Sequence, residues 1–263
     1  MAAKMRIAAP ITGWQFCLNR YITIEVMINP AINQSALTSP LFTQLTQAEC
    51  NAILATAHVH HVRQGDYFFH QGEDAETLYV ITEGRVKLTQ VTSEGEQVIV
   101  NYFGPGDGLG IIVALIDLPY PLSAEAMELC TAVAWDRHTM KQLMFQYPQL
   151  ALNGIEMIGQ RFAWLQTRFQ EVATQRVEQR VARALLRLVR QFGKRVPEGV
   201  LIDMPLSRQD LAEMTGTNLY NASRILSKWE QQGLISTSRM QIILCKAHDL
   251  VMIAEDLPTS KSK

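Results

Sequence analysis

SRQDLAEMTGTNLYNASRILSKWEQQGLI, Ser207 to Ile235, decides how this chain is read. It predicts two short helices joined by a tight turn. Ser207 caps the first helix, with Asp210 three residues on as a short form of the capping-box acid. Leu211, Ala212 and Met214 give that helix an apolar side. Thr215-Gly216-Thr217 supplies the turn, where Gly216 accepts a backbone angle that side chains avoid. A second helix begins near Asn218, buries Ala222, Ile225, Leu226 and Trp229, and stops at Gly233. Asn218, Tyr220, Asn221, Ser223, Arg224 and Lys228 fall largely on its other side. Two helices around a Gly-containing turn, the second with a polar, cationic face, fit a helix-turn-helix. An ordinary helical hairpin with a solvated face is the plainer alternative.

Charge separates the two. The chain of 263 residues has a net charge of -1, unevenly spread. Residues 1–160 carry 8 Lys/Arg against 15 Asp/Glu, and residues 161–263 carry 16 against 10. A basic half behind a neutral total is the footprint of a nucleic-acid-binding domain joined to one that does not bind. A hydrophobic content of 48% permits real cores, and the length suits two modest domains. Cys17, Cys50, Cys130 and Cys245 form no CxxC pair, so neither a zinc site nor a disulfide framework is expected. No apolar run approaches the roughly 20 residues that span a bilayer. The mildly basic N-terminus makes a poor signal peptide. A soluble, cytoplasmic protein without a membrane partner is expected. GxSxG, HExxH, Walker-type and dinucleotide fingerprints are all missing, and GPGDGLG follows a strand with no crossover unit, so the chain is not expected to be an enzyme.

The remaining periodicities set the order of parts. Residues 1–36 show no sustained period and read as an N-terminal extension, with Met1 or Met27 as the start. Ser39 to Ala57 is helical in pattern. Strands are expected at His58–Val62, Tyr67–His70, Thr77–Glu83, Arg85–Val91, Gln97–Phe103 and Leu129–Asp136, with a short buried helix over Ile111–Leu118. Short strands with Gly-containing turns argue an antiparallel roll, residues 37–148. From residue 149 to 175 a long helix follows. Its Ile155, Ile158, Phe162, Leu165, Phe169 and Val172 recur at 3 and 4 residues, a heptad seam narrow enough to demand a second helix. A homodimer supplies one economically; the other reading is a helix lying on its own domain. Thr174–Arg176 is a candidate hinge. Residues 176–250 hold the helix-turn-helix, a strand at 200–206 before it and a wing arm, SRMQIILC, after it. Residues 251–263 read as a tail. The fold class is α+β.

Roll, long helix and winged helix-turn-helix stand here in the order of the CRP/FNR family of bacterial transcription regulators. FHQGEDAETLYVITEGRVKL, EGEQVIVNYFGPGDGLG, QRVARALLRLVRQFG and SRQDLAEMTGTNLYNASRILSKWEQQGLI carry the resemblance, which covers roughly residues 38–250. It implies a cyclic-nucleotide-binding-type roll that senses an effector, and a homodimer acting on promoter DNA with RNA polymerase as a further partner. A dimeric sensor or scaffold that never touches DNA is the competing function.

The departures from the family fall in its effector pocket. Cyclic-AMP-binding members carry Gly-Glu at the pocket helix; here Gly110 is followed by Ile111. Their Arg-Ser pair on the cyclic phosphate corresponds to Leu122 and Ser123, and their hydroxyl pair from the dimer helix to Leu165 and Gln166. A buried phosphate without a cation is costly, so cyclic AMP is not the expected effector. The replacements suit an apolar ligand, a haem or no ligand. Clustered N-terminal thiolates are lacking, so no iron–sulfur cluster is expected. A haem-based gas or redox sensor stays open, since His58, His60, His61, His70 and His138 are available. On an alternating strand, however, His58 and His60 share one face and His61 the other.

The expected DNA surface comprises Ser207, Arg208, Thr217, Asn218, Tyr220, Asn221, Arg224, Lys228 and wing residue Arg239. Arg224 matches an arginine that the family uses on bases, and its fork suits guanine. Tyr220 stands where many relatives place a base-reading glutamate, so the operator should depart from theirs. Asn218 and Asn221 suit adenine or phosphate; Arg208, Lys228 and Arg239 suit phosphate.

Overall fold

The computed structural model describes residues 34–116 and 118–257. Most of the N-terminal extension, with Cys17 and the choice of start, lies outside them, as do the last six residues of the expected tail.

Eight strands build the roll: β1 (His58–Val62), β2 (Tyr67–Phe69), β3 (Thr77–Glu83), β4 (Val86–Val91), β5 (Gln97–Phe103), β6 (Gly108–Leu109), β7 (Ser123–Ala126) and β8 (Cys130–Asp136). They pair antiparallel in two sheets, ordered β1-β8-β3-β6 and β2-β7-β4-β5. β3 is buried on both faces, and its alternation shows why. Tyr79 and Ile81 enter the core between the sheets, while Leu78 and Val80 join a second core under the helices. Gly84 turns the chain into β4 at φ +86, where a Cβ would stand 2.6 Å from the Cys130 sulfur. No larger residue fits that turn without moving it.

Two helical expectations change. The segment Ser39–Ala57 is not one helix. A 3-10 turn at Pro40–Phe42 is followed by α1 (Gln47–Leu54), because Thr46 and Glu49 form a capping box that starts a new helix. The buried helix expected over Ile111–Leu118 is only a 3-10 turn, Ile111–Ala114, and Ile116 and Leu118 face solvent. Apolar composition alone did not show that the segment leaves the core after one turn.

α2 (Arg137–Gln146) packs beside α3 (Pro148–Thr174), which at about 1.5 Å per residue is ~40 Å long. α3 carries two stripes. Leu150, Asn153, Gly154 and Met157 are buried against the roll, with the Asn153 amide donating to Leu41 and Thr43 carbonyls at 2.8 and 2.7 Å. The heptad residues lie on another side. Apart from part-buried Ile158, they are 48–78% exposed in the single chain. α3 ends where Gln175 turns extended, and α4 (Val177–Phe192) restarts as the Gln179 side chain accepts from the Arg176 amide at 3.0 Å.

The C-terminal part follows with β9 (Gly193–Val196), β10 (Gly199–Ile202), α5 (Arg208–Thr215), α6 (Leu219–Gln231), β11 (Ile235–Ser238), β12 (Gln241–Leu244) and α7 (Ala247–Ala254). Its sheet is ordered β11-β12-β10-β9. A tail beginning at residue 251 is corrected, since α7 continues to Ala254 and buries Leu250 and Ala254 one turn apart. The roll does not stand clear of this part. Ile99 and Tyr102 of β5 enter the same core as Val181, Leu185, Leu211 and Met214. Gln97 donates to Glu213 at 3.0 Å, and Gln191 to the Tyr102 carbonyl at 2.8 Å. Among the described residues, no helix is long and apolar enough to cross a membrane.

Candidate nucleic-acid interface and ligand cavity

The helix-turn-helix is built as its sequence dictates. Ser207 and Asp210 cap α5 reciprocally: the Asp210 amide donates to the Ser207 hydroxyl at 2.9 Å, and the Ser207 amide to Asp210 at 2.8 Å. Gly216 ends α5 at φ 60. Asn218 caps α6, its side-chain oxygen accepting from the Asn221 amide at 2.9 Å. Ala222, Ile225, Leu226 and Trp229 hold α6 on the domain.

What α6 leaves outward is mostly polar, apart from Leu219, 48% exposed. Tyr220 is 72% exposed, and Arg208, Asn218 and Arg224 are exposed beside it, with Arg239 exposed on the wing. Among the described residues, none of Arg208, Arg224 and Arg239 has an ion-pair partner. Lys228 does. Its ammonium lies 2.9 Å from Glu178 of α4, and the same carboxylate oxygen accepts from the Trp229 indole at 3.1 Å. The cation expected on phosphate is thus tethered to its own protein. Asn221 reaches Thr217 at 3.4 Å, a contact within the turn.

Arg180 was not singled out by the sequence, yet it holds the turn. Its guanidinium donates to Thr215, Gly216 and Gln175 carbonyls at 2.8, 3.1 and 2.9 Å while 8% exposed. Burial, then the neighbouring Arg168, lowers its pKa, and Glu171 opposes the fall. Arg168 of α3 donates to the Met214 carbonyl, so the dimer-helix candidate touches the helix-turn-helix directly.

In the roll, a cavity of about 270 Å³ opens under α3. Gly110, Ile111, Leu122 and Leu165 line it as the resemblance implies. Ser123 and Gln166 do not. The Ser123 hydroxyl is taken up by the Gln71 amide at 2.9 Å, and Gln166 is exposed, about 100° around the helix from Leu165. Phe69, Leu88, Phe103, Leu109, Ile112, Tyr120, Pro121, Ile158, Arg161 and Phe162 complete the wall. Phe69 and Tyr120 stack at 3.7 Å, and the Tyr120 hydroxyl donates to the Thr77 carbonyl at 2.7 Å. The expectation of a pocket with no cation is corrected by Arg161. Its guanidinium lies 4.8 Å over the Phe103 ring and donates to the Gly108 carbonyl. Burial lowers its pKa against the pull of Asp107, whose own pKa burial raises. Arg161 was missed because it lies off the heptad stripe; its place four residues after Met157 on the inner stripe was the available signal.

None of the histidines lines this cavity. His60 instead packs 5.3 Å from Tyr79 and 6.0 Å from Phe68, and burial lowers its pKa. His61 lies 3.3 Å from the Thr131 hydroxyl on the opposite side of β1. Among the described residues, no three His, Cys, Asp or Glu side chains converge on a metal-sized site.

A winged helix-turn-helix with a bare cationic reading face, carried on a roll and a long helix, defines a DNA-binding regulator. The family model described as cyclic nucleotide-binding domain matches residues 59–147, and that described as Crp-like helix-turn-helix domain matches residues 179–253. The chain belongs to the CRP/FNR family of transcription regulators. It is 28% identical over 194 residues to the cAMP-activated global transcriptional regulator CRP of Salmonella typhimurium, covering 73% of this chain and 91% of that one. Its fold is that of FixK2 from Bradyrhizobium japonicum, at TM-score 0.65 and 22% identity over 78% of this chain and 99% of the other. The global regulator CLP of Xanthomonas campestris, described as c-di-GMP responsive, gives TM-score 0.67 and 21% identity over 76% and 99%.

Proposed function

We propose that this regulator works as a homodimer whose two α6 helices read a two-fold operator, and that an apolar small molecule in the roll cavity sets its activity. One observation carries the proposal: Ile158, Phe162 and Leu165 belong both to the cavity wall and to the heptad seam of α3. A ligand touching them alters the packing of the helix that a partner must meet, so effector and dimer geometry share the same side chains. The unpartnered stripe of α3 needs a second helix, and a second copy supplies an identical seam.

The two reading helices of such a dimer enter successive major grooves about 34 Å apart. Arg224, exposed and without an ion pair among the described residues, is the base-reading fork, and Tyr220 beside it sets this operator apart from a glutamate-read one. Arg208 and Arg239 flank it as phosphate contacts. The function includes recruitment of RNA polymerase at promoter DNA in the cytoplasm, as the resemblance implies.

Cyclic AMP is not the proposed effector. Ile111 is 1% exposed and packed where an acid would meet a ribose, and Leu122 holds the place of the phosphate-binding arginine. Arg161, the cation that does line the wall, is engaged by Gly108 and Phe103. Calorimetric titration of the full chain with cyclic AMP is expected to show no saturable heat. Binding-site selection from random duplexes should recover a palindrome with half-sites one turn apart. Saturable cyclic AMP binding that tightens operator affinity would overturn the effector assignment, and a selected site without two-fold symmetry would overturn the dimer.

A further inference from the structure

A second cavity, of about 340 Å³, lies where the roll meets the DNA-binding domain, and neither the reading face nor the roll cavity uses it. Asn101 of β5, Trp164 and Arg168 of α3, Arg187 and Arg190 of α4, and Met214 of α5 all contribute to its wall. It is therefore a cleft between domains, and three of its side chains are guanidinium groups.

These cations are short of counter-charge. Glu171, 4% exposed, is shared by Arg168 at 2.5 Å and by Arg187 at 2.9 and 3.0 Å. Two cations thus divide one carboxylate. Arg190 is exposed and, among the described residues, has no ion-pair partner. Among the described residues, the buried Arg187 Nη2 atom has no hydrogen-bond acceptor. A buried donor left empty costs about 1–3 kcal/mol, more when it belongs to a charged group, so such atoms call for an acceptor. Burial, then repulsion from Arg168, lowers the Arg187 pKa to about 10, despite the pull of Glu171. Trp164 closes the cleft with an indole, over which the Arg168 guanidinium sits at 5.9 Å. Excess fork-shaped donors beside an aromatic wall match an oxyanion carried on a small body, and phosphate takes two donors from each fork.

We propose that this cleft is a second ligand site, separate from the roll cavity, for a phosphate-bearing small molecule whose anionic group bridges Arg187 and Arg190 and whose body rests on Trp164. Its walls come from the roll, the long helix and the helix-turn-helix. The ligand therefore binds while α5 stays docked on β5, and it stabilises that arrangement by its differential affinity.

Isothermal titration of the full chain with two probes, pyrophosphate and ADP, tests this. Saturable binding of either probe at one site per chain is expected, and the tighter of the two tells whether an inorganic or a nucleotide phosphate is preferred. R190Q removes an exposed side chain that has no ion pair among the described residues, so its thermal melt should match wild type while probe affinity falls at least about tenfold, or ~1.4 kcal/mol. R208Q, on the DNA face, should leave probe affinity unchanged. The proposal is overturned if neither probe saturates, if R190Q binds as wild type does, or if R208Q weakens binding as much as R190Q.

Discussion

Replacing Arg180 by Met tests what holds the helix-turn-helix together. The side chain is 8% exposed and delivers three charge-assisted hydrogen bonds, to Thr215, Gly216 and Gln175 carbonyls at 2.8, 3.1 and 2.9 Å. Hydrogen bonds from a charged donor contribute about 1.5–3 kcal/mol each net, but three on one group do not add. Met fills much of the same volume and removes the cost of burying a cation, which offsets part of the loss. A net destabilisation of ~2–4 kcal/mol remains, mostly from leaving the Thr215 carbonyl without its partner. With a urea slope of about 2 kcal/mol/M, the unfolding midpoint should fall by ~1–2 M. Because Thr215 and Gly216 set the angle between α5 and α6, operator affinity in a fluorescence titration should fall at least about tenfold. Arg176→Met serves as control. Its ion pair with Asp256 joins side chains 73% and 63% exposed, so it should move stability by no more than ~0.5 kcal/mol. A midpoint for Arg180→Met within ~0.3 M of wild type, with operator affinity intact, would refute the reasoning.

Phe162→Glu places a carboxylate in the seam of both proposed protomers. It should weaken dimerisation by at least about 3–5 kcal/mol, seen as a monomer in sedimentation velocity; an unchanged dimer would exclude α3 as the seam. Arg224→Ala should cost about 1–3 kcal/mol of operator binding and relax selectivity at one base pair, whereas Arg239→Ala should weaken all duplexes alike and reduce the salt slope by about 1. Lys228→Ala should weaken duplex binding less than Arg239→Ala, since its ammonium is held by Glu178, and equal losses would show that the pair opens on DNA. Asp136 caps α2 through the Thr139 amide at 2.9 Å and hydroxyl at 2.7 Å, which lower its pKa. A depressed folded pKa means its contribution is present above the unfolded value near 3.8 and is lost as pH falls through the folded one. Asp136→Asn keeps the cap and should flatten stability in that acid range; a pH profile identical to wild type would dismiss the effect.

Local chemistry was legible wherever the deciding partners are near in sequence. Ser207 and Asp210 cap each other three residues apart, Gly216 takes its left-handed turn, and the apolar side of α6 follows its helical period. The strands from His58 to Phe103 follow from alternation between Gly-containing turns. The segments misread are those where a distant partner or solvent decides. Ile111–Leu118 is apolar but for Asp117, yet Ile116 and Leu118 leave the core. Residues 251–254 look like tail until Ala254 is seen buried where α7 packs on α4. Arg161, Arg168 and Glu171 look like ordinary polar helix positions, because their partners at Gly108, Met214 and Arg187 are reached only in three dimensions.

Sequence alone therefore determined the order of parts, the basic second helix of the helix-turn-helix and the heptad stripe of α3, all set by periodicity and capping within a few residues. Tertiary structure decided the rest: that Lys228 is held by Glu178, that Arg180 carries the turn, that seam and cavity share three side chains, and that β5 docks on the DNA-binding domain. Each of these depends on contacts between residues 35 to 116 positions apart or on faces of different elements, which no local pattern of charge or hydrophobicity encodes.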